Sequence, residues 1–114
     1  MSEEKNVVIL LREPPHGSLH PVEGLRMSVA ISSDYDPITI AIKGAVYTFL
    51  KGSDKTIYQM HIEFLKEIDL DIFVDKKSVE ELGLSKEDLI EEVEIIEHDD
   101  VLKKISEADL VIPF

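Results

Sequence analysis

The sequence predicts an α/β protein, a three-layer α/β/α sandwich built on a mainly parallel five-stranded sheet. Short apolar, β-branched runs alternate with segments of helical periodicity from one end of the chain to the other. The first run is apolar on consecutive positions, as in a strand covered on both faces. No internal repeat, low-complexity tract or linker breaks the alternation, so residues 1–114 read as one domain, large enough to close a core without disulfide or metal staples.

Asn6 to Leu11 is the first predicted strand. The loop Glu13, Pro14, Pro15, His16, Gly17, Ser18 follows it. Two prolines stiffen this loop, Gly17 permits a left-handed backbone, and Pro21 suits the first helical position because its missing N–H would be unpaired there. The spacing of Val22, Leu25, Val29 and Ala30 predicts a helix from Pro21 to about Ser33, closed by the turn Asp34, Tyr35, Asp36, Pro37.

Ile38 to Ile42 is the second strand, ending at Lys43 and Gly44. The apolar stretch Ala45 to Leu50 is ambiguous between a helical turn and extended chain, with the helical reading preferred. Asp54 is placed to cap the next helix, in which Ile57, His61, Phe64, Leu65 and Ile68 share one face. Leu70 to Val74 is the third strand. Ser78 with Glu81, and Ser85 with Asp88, match the hydroxyl-to-acid capping pattern, which predicts a short helix after the strand and another reaching about Glu91. Val93 to Glu97 alternates more and belongs nearer a sheet edge. Asp99 or Asp100 caps a last helix carrying Val101, Leu102 and Ile105, and Leu110 to Ile112 is the fifth strand.

Composition removes several function classes. The chain has no cysteine, so disulfides, thiolate metal sites and cysteine nucleophiles are excluded, and a reducing cytosol is permitted. Twelve basic against twenty-four acidic residues give a net charge of −12, which opposes unaided binding to nucleic acid or an anionic membrane. No apolar run approaches the roughly 18 to 20 residues that span a bilayer, and the acidic stretch Met1 to Asn6 lacks the zones of a signal peptide. The expectation is a cytoplasmic protein without cofactor.

In a parallel sheet the loops after successive strands emerge at one edge, where ligands bind. That edge gathers Glu13, His16, Gly17 and Ser18, then Lys43 and Gly44, then Asp75, Lys76 and Lys77, then His98. Of these, Glu13, His16, Gly17, Ser18, Gly44, Asp75 and His98 are the candidate pocket or subunit contact. His16, His20 and Glu23 match no zinc spacing, with Pro21 between two of them, so no metal is assigned. His16 beside Ser18 lacks a third group to orient the imidazole, which ranks a hydrolase last among the readings. One glycine before the helix and no Walker lysine make a nucleotide site weak. The acidic residues Glu91, Glu92, Glu94, Glu97, Asp99 and Asp100 read as a solvated face or a docking surface for a basic partner. Val46, Tyr47 and Phe49 form the candidate interface, on the expectation that a short connector cannot bury so much apolar surface alone.

Four segments carry a family resemblance: Pro15 to Ser18 followed by Glu23, Gly24, Leu25; Ala41 to Leu50 around Gly44, Ala45, Val46; Glu80 to Leu84; and the ending Asp109 to Phe114. On these the chain resembles the DsrE/DsrF-like sulfur-relay family, in its TusC or DsrF type of subunit, over nearly its whole length. The resemblance implies a DsrE-like fold that assembles with like subunits. In the bacterial system three related subunits form a heterohexamer passing persulfide sulfur toward 2-thiouridine in tRNA, and the Dsr version serves sulfur oxidation. The family's sulfur-carrying cysteine follows the third strand in DsrE- or TusD-type subunits. Counted back from Gly83, that position falls at or near Asp75.

The expected function is therefore a non-catalytic, cysteine-less subunit of an oligomeric sulfur-transfer assembly, partnered by itself or related DsrE-like subunits. The alternative is a homo-oligomeric module of the same fold that binds a small molecule or anion around His16, Gly44 and Asp75.

Overall fold

The computed structural model describes residues 5–114; Met1 to Glu4, part of the segment read for targeting signals, lie outside the described residues. Five parallel strands form one sheet: β1 (Val7–Leu11), β2 (Ile38–Ala41), β3 (Ile72–Asp75), β4 (Glu94–Ile96) and β5 (Leu110–Pro113), in the order β4-β3-β2-β1-β5. Ile9 lies opposite Thr39 on β2 and Ile112 on β5, so β1 is paired on both sides. Four α-helices connect the strands: α1 (His20–Ile31), α2 (Gln59–Glu67), α3 (Lys76–Glu81) and α4 (His98–Glu107). The ambiguous stretch after β2 is helical, a 3-10 segment over Lys43–Phe49.

Side chains alternate across a strand, so each strand feeds two cores. Val7, Ile9, Leu11, Ala41, Ile72 and Val74 pack on one face with Leu25 of α1, Ile62 and Leu65 of α2, and Val79 of α3. Val8, Ile40 and Phe73 pack on the other with Val101 and Ile105 of α4. Lys104 Nζ closes this second core from above, 4.9 Å from the centre of the Phe73 ring.

The topology explains the division. From β1 to β4 the chain steps across the sheet in one direction, and crossovers of one hand keep α1, α2 and α3 on one face. From β4 it turns back to the far edge beside β1, and the same hand places α4 on the opposite face. Adjacent strands β3 and β4 therefore send their following helices to opposite sides. The crevice at their carboxyl ends is a topological switch point.

Several local expectations are corrected. In α1 the buried residues are Pro21, Gly24, Leu25 and Ser28, whereas Ala30 is exposed. Small side chains let this helix sit close: a Cβ on Gly24 would land on Leu11 Cδ2 and 3.2 Å from Phe114. In α2 and its flanks Tyr58, Ile62 and Leu65 turn inward, whereas Ile57, Phe64 and Ile68 are exposed and His61 is half-buried. Asp54 accepts from Thr56 N–H at 3.0 Å in a turn before α2 and does not cap it.

Asp75, not Ser78, caps α3, because the helix leaves the strand at once and Asp75 accepts from Lys77 N–H. The Ser85–Asp88 capping box is present, but it closes a single 3-10 turn, Lys86–Asp88, rather than a helix to Glu91. The cap residue of α4 is Glu97, with Asp99 and Asp100 in its first turn, and Leu102 is 51% exposed.

The interface expectation also changes. Val46 and Phe49 are fully buried in the first core of this same chain, because the 3-10 segment folds back under the sheet edge and spends their apolar surface internally. Only Tyr47 of the three reaches the surface, half-buried.

Candidate functional site

The predicted edge residues separate into two groups. The first is built on the crevice between β3 and β4. Asp75, the last residue of β3, is 2% exposed. One carboxylate oxygen accepts from Ser78 Oγ at 2.9 Å, and the other from Lys77 N–H at 3.3 Å. His98, the first residue of α4, places Nδ1 3.1 and 3.2 Å from the two oxygens. The His98 side chain keeps 38% of its surface open.

Lys43 extends this network from the third neighbouring strand. Its N–H donates to Ser78 Oγ at 2.8 Å, which leaves the serine hydrogen committed to Asp75. Lys43 takes φ +53, a conformation that costs a non-glycine residue about 1–2 kcal/mol. The ends of β2, β3 and β4 are thus tied together by one polar chain. Lys76 and Glu97 pair at 3.0 Å beside it, a solvent-exposed bond. Glu97 lifts the Lys76 ammonium above its ordinary range, by hydrogen bonding first and charge second.

The second group lies on the β1 side of the edge. Pro14 rests on Gly44, where an added Cβ would come 3.2 Å from the proline Cβ. The His16 and Tyr47 rings are tilted with centres 6.2 Å apart. Gly17 takes the left-handed φ of +71 expected of it, and Ser18 Oγ accepts from His20 N–H at 3.1 Å, so both serve the turn into α1. Glu13 is exposed, its N–H on the Phe114 carbonyl at 3.3 Å. A hollow of about 250 Å³ opens here, lined by Pro15, His16, Tyr47, Asp54, Ile57 and Tyr58 among others.

The edge therefore brings Asp75 and His98 into contact, and separately His16 with Tyr47. Ser78 was missed as a site residue, since its spacing to Glu81 suggested a cap; the acid three positions before it, Asp75, was the available signal. A larger concavity, about 650 Å³, lies along Leu89, Ile90, Val93 and Ile95 and includes neither Asp75 nor His98. It gathers apolar side chains and scattered charges without a polar network, so the chemistry places the site at the switch point instead. Among the described residues no three His, Asp or Glu side chains are grouped to hold a metal ion.

An apolar stripe adjoins the second group. Ile57, Met60, Phe64 and Ile68 are 62%, 78%, 41% and 40% exposed, spaced three, four and four residues apart along α2 and its flanks. Ile57 belongs both to the stripe and to the hollow.

The sheet of order β4-β3-β2-β1-β5 and the sequence along it match a known family. The model of the DsrE/DsrF-like family matches residues 5–114, and the chain belongs to that family. It is similar to the Protein TusC homolog of Vibrio parahaemolyticus, 29% identical over 112 residues that cover 92% of this chain and 95% of the relative. Among solved structures it is similar to the ychN protein of E. coli, with a TM-score of 0.83 at 25% identity, covering 96% of this chain and 99% of that one. The MTH1491 protein of Methanobacterium thermoautotrophicum shares the fold, with a TM-score of 0.75 at 16% identity over 97% of this chain and all of the other.

Proposed function

We propose that this chain is a cysteine-less DsrF/TusC-like subunit of an oligomeric, cytoplasmic sulfur-transfer assembly, of the kind serving tRNA 2-thiolation or sulfur oxidation. The observation that carries the reading is Asp75. Counted back from Gly83, the position where the family resemblance puts the sulfur-carrying cysteine falls at or near Asp75, the last residue of β3, and no residue of this sequence can bear a persulfide. The chain then acts by framing a partner subunit's site, not as the sulfur carrier.

Its partners are copies of itself or related DsrE-like subunits. The stripe Ile57, Met60, Phe64, Ile68 and the adjoining His16–Tyr47 hollow are the surface we assign to that contact, since monomeric surfaces seldom align four large apolar side chains on one helix face. The charge of −12 leaves any role near tRNA to a partner. Among the described residues no helix is long and apolar enough to cross a membrane.

Affinity capture from the native source, followed by native mass spectrometry, tests the reading. It should recover a cysteine-bearing DsrE-like subunit in fixed stoichiometry. Recovery of this chain alone would overturn the heteromeric assembly.

The hollow beside His16 favours a second reading, a homo-oligomer that binds a small molecule or anion. A thermal-shift series with phosphate and nucleotides separates the two, because a ligand at a hundred times its Kd adds about 2.7 kcal/mol. The sulfur-transfer reading expects no such shift.

A further inference from the structure

We propose that Asp75 and His98 form a proton-accepting pair, with His98 Nε2 as the base for an S–H group presented at the crevice between β3 and β4. Asp75 is the positioning residue. Its carboxylate is buried and takes hydrogens from Lys77 N–H and Ser78 Oγ, and both of its oxygens face His98 Nδ1. An ionised carboxylate can only accept, so the neutral imidazole carries its hydrogen on Nδ1 and offers a lone pair on Nε2. The His98 side chain as a whole keeps 38% of its surface open to solvent, while the Asp75 side chain keeps 3%.

Three features distinguish this pair from a capping aspartate with an incidental neighbour. It stands at the topological switch point, the place in an open α/β sheet where ligands bind. The hydroxyl that donates to Asp75 is itself held: Ser78 is oriented by the N–H of Lys43, a non-glycine residue kept at positive φ. And it unites residues from three separate connections, those after β2, β3 and β4, where capping α3 requires only Asp75.

The identity of the acid rests on the sulfur-transfer reading; the tautomer does not. In the step, the S–H bond breaks, its electron pair stays on sulfur as the thiolate, and the proton moves to Nε2. The imidazolium is held by the Asp75 charge and later returns the proton to a departing thiolate. No oxidant or reductant is needed. Lys76 and Glu97 flank the site but neutralise one another, and Asp99 and Asp100 on the first turn of α4 add negative charge.

The test uses the isolated chain. Two-bond ¹H–¹⁵N spectra of neutral wild-type protein should show His98 protonated at Nδ1 and bare at Nε2; the opposite tautomer overturns the pair. Diethyl pyrocarbonate acylation, followed at each histidine by peptide mass spectrometry, should slow at His98 roughly tenfold in Asp75→Asn, by loss of the fixed tautomer, and stay unchanged at His16 and His20. Equal rates in both proteins overturn the positioning role, and the wild-type spectra decide the tautomer even if the variant fails to fold. For the acid, the His98 Nε2 resonance should move with added N-acetylcysteine and not with its S-methyl analogue. No difference between the two overturns the S–H assignment, whatever partner capture reveals about the assembly.

Discussion

Phe64 and Leu65, neighbours in sequence and about 100° apart around α2, meet different surroundings: Leu65 is 1% exposed and packed under the sheet, Phe64 is 41% exposed. The larger aromatic ring is therefore expected to matter less to folding. Leu65→Ala should cost about 2–5 kcal/mol, the range for truncating a buried leucine, whereas Phe64→Ala should cost less than about 1 kcal/mol in the monomer. Urea denaturation of the two variants measures the difference.

The same stripe predicts association. A double substitution, Ile57→Asp with Phe64→Asp, puts charge on two of the four residues of the exposed apolar stripe Ile57, Met60, Phe64, Ile68. It should leave the circular dichroism spectrum intact while lowering the mass seen by light scattering at micromolar concentration. An unchanged mass would place the contact elsewhere.

Gly24 is a packing glycine. Helix propensity alone makes glycine the worse residue by up to about 1 kcal/mol, so a larger side chain would ordinarily help. Here a side chain at position 24 meets Leu11, which is fully buried, and Phe114. Overpacking of this kind costs about 1–3 kcal/mol and outweighs the gain. Gly24→Val is expected to lower the urea denaturation midpoint, followed by circular dichroism.

Tyr58 makes stability fall at alkaline pH. Burial pushes its phenol above the ordinary 10.0, with the nearby Ser53 hydroxyl opposing the rise and the Asp54 charge adding to it. Because the folded-state value is the higher one, the unfolded chain releases its proton first as pH rises. The contribution is complete below about pH 10 and is lost as pH climbs through the folded-state value. Tyr58→Phe should lose about 0.5–1.5 kcal/mol at neutral pH with the bond to the Thr48 carbonyl, and its Tm should decline less between neutral and alkaline pH than that of the parent.

The strands were legible because burial on both faces leaves consecutive apolar residues, as in Val7–Leu11, and their ends shift by only a residue or two. Helix faces were harder. Around α2 two apolar stripes compete, Ile57, Phe64, Ile68 against Tyr58, Ile62, Leu65, and periodicity finds both without saying which the sheet covers. Gly24 and Ser28 hid the true face of α1, since small residues add little to an apolar pattern yet permit close approach.

Asp75 and His98 were placed at one edge by the alternation of strands and helices. Their bond depends on β3 lying next to β4, and strand order is not written in periodicity. Val46 and Phe49 were assigned outward because the sequence shows how much apolar surface a connector has, but not whether the rest of the fold reaches over it.

Sulfur labelling decides whether this chain, as proposed, completes a sulfur-transfer assembly without carrying sulfur. The captured assembly is loaded with radiolabelled sulfur from a persulfide donor, and each subunit is separated under non-reducing conditions. Label should appear on the cysteine-bearing partner and not on this chain, and onward transfer should slow when this chain is withdrawn or carries His98→Gln. Transfer that proceeds unchanged without this chain would contradict the proposed role.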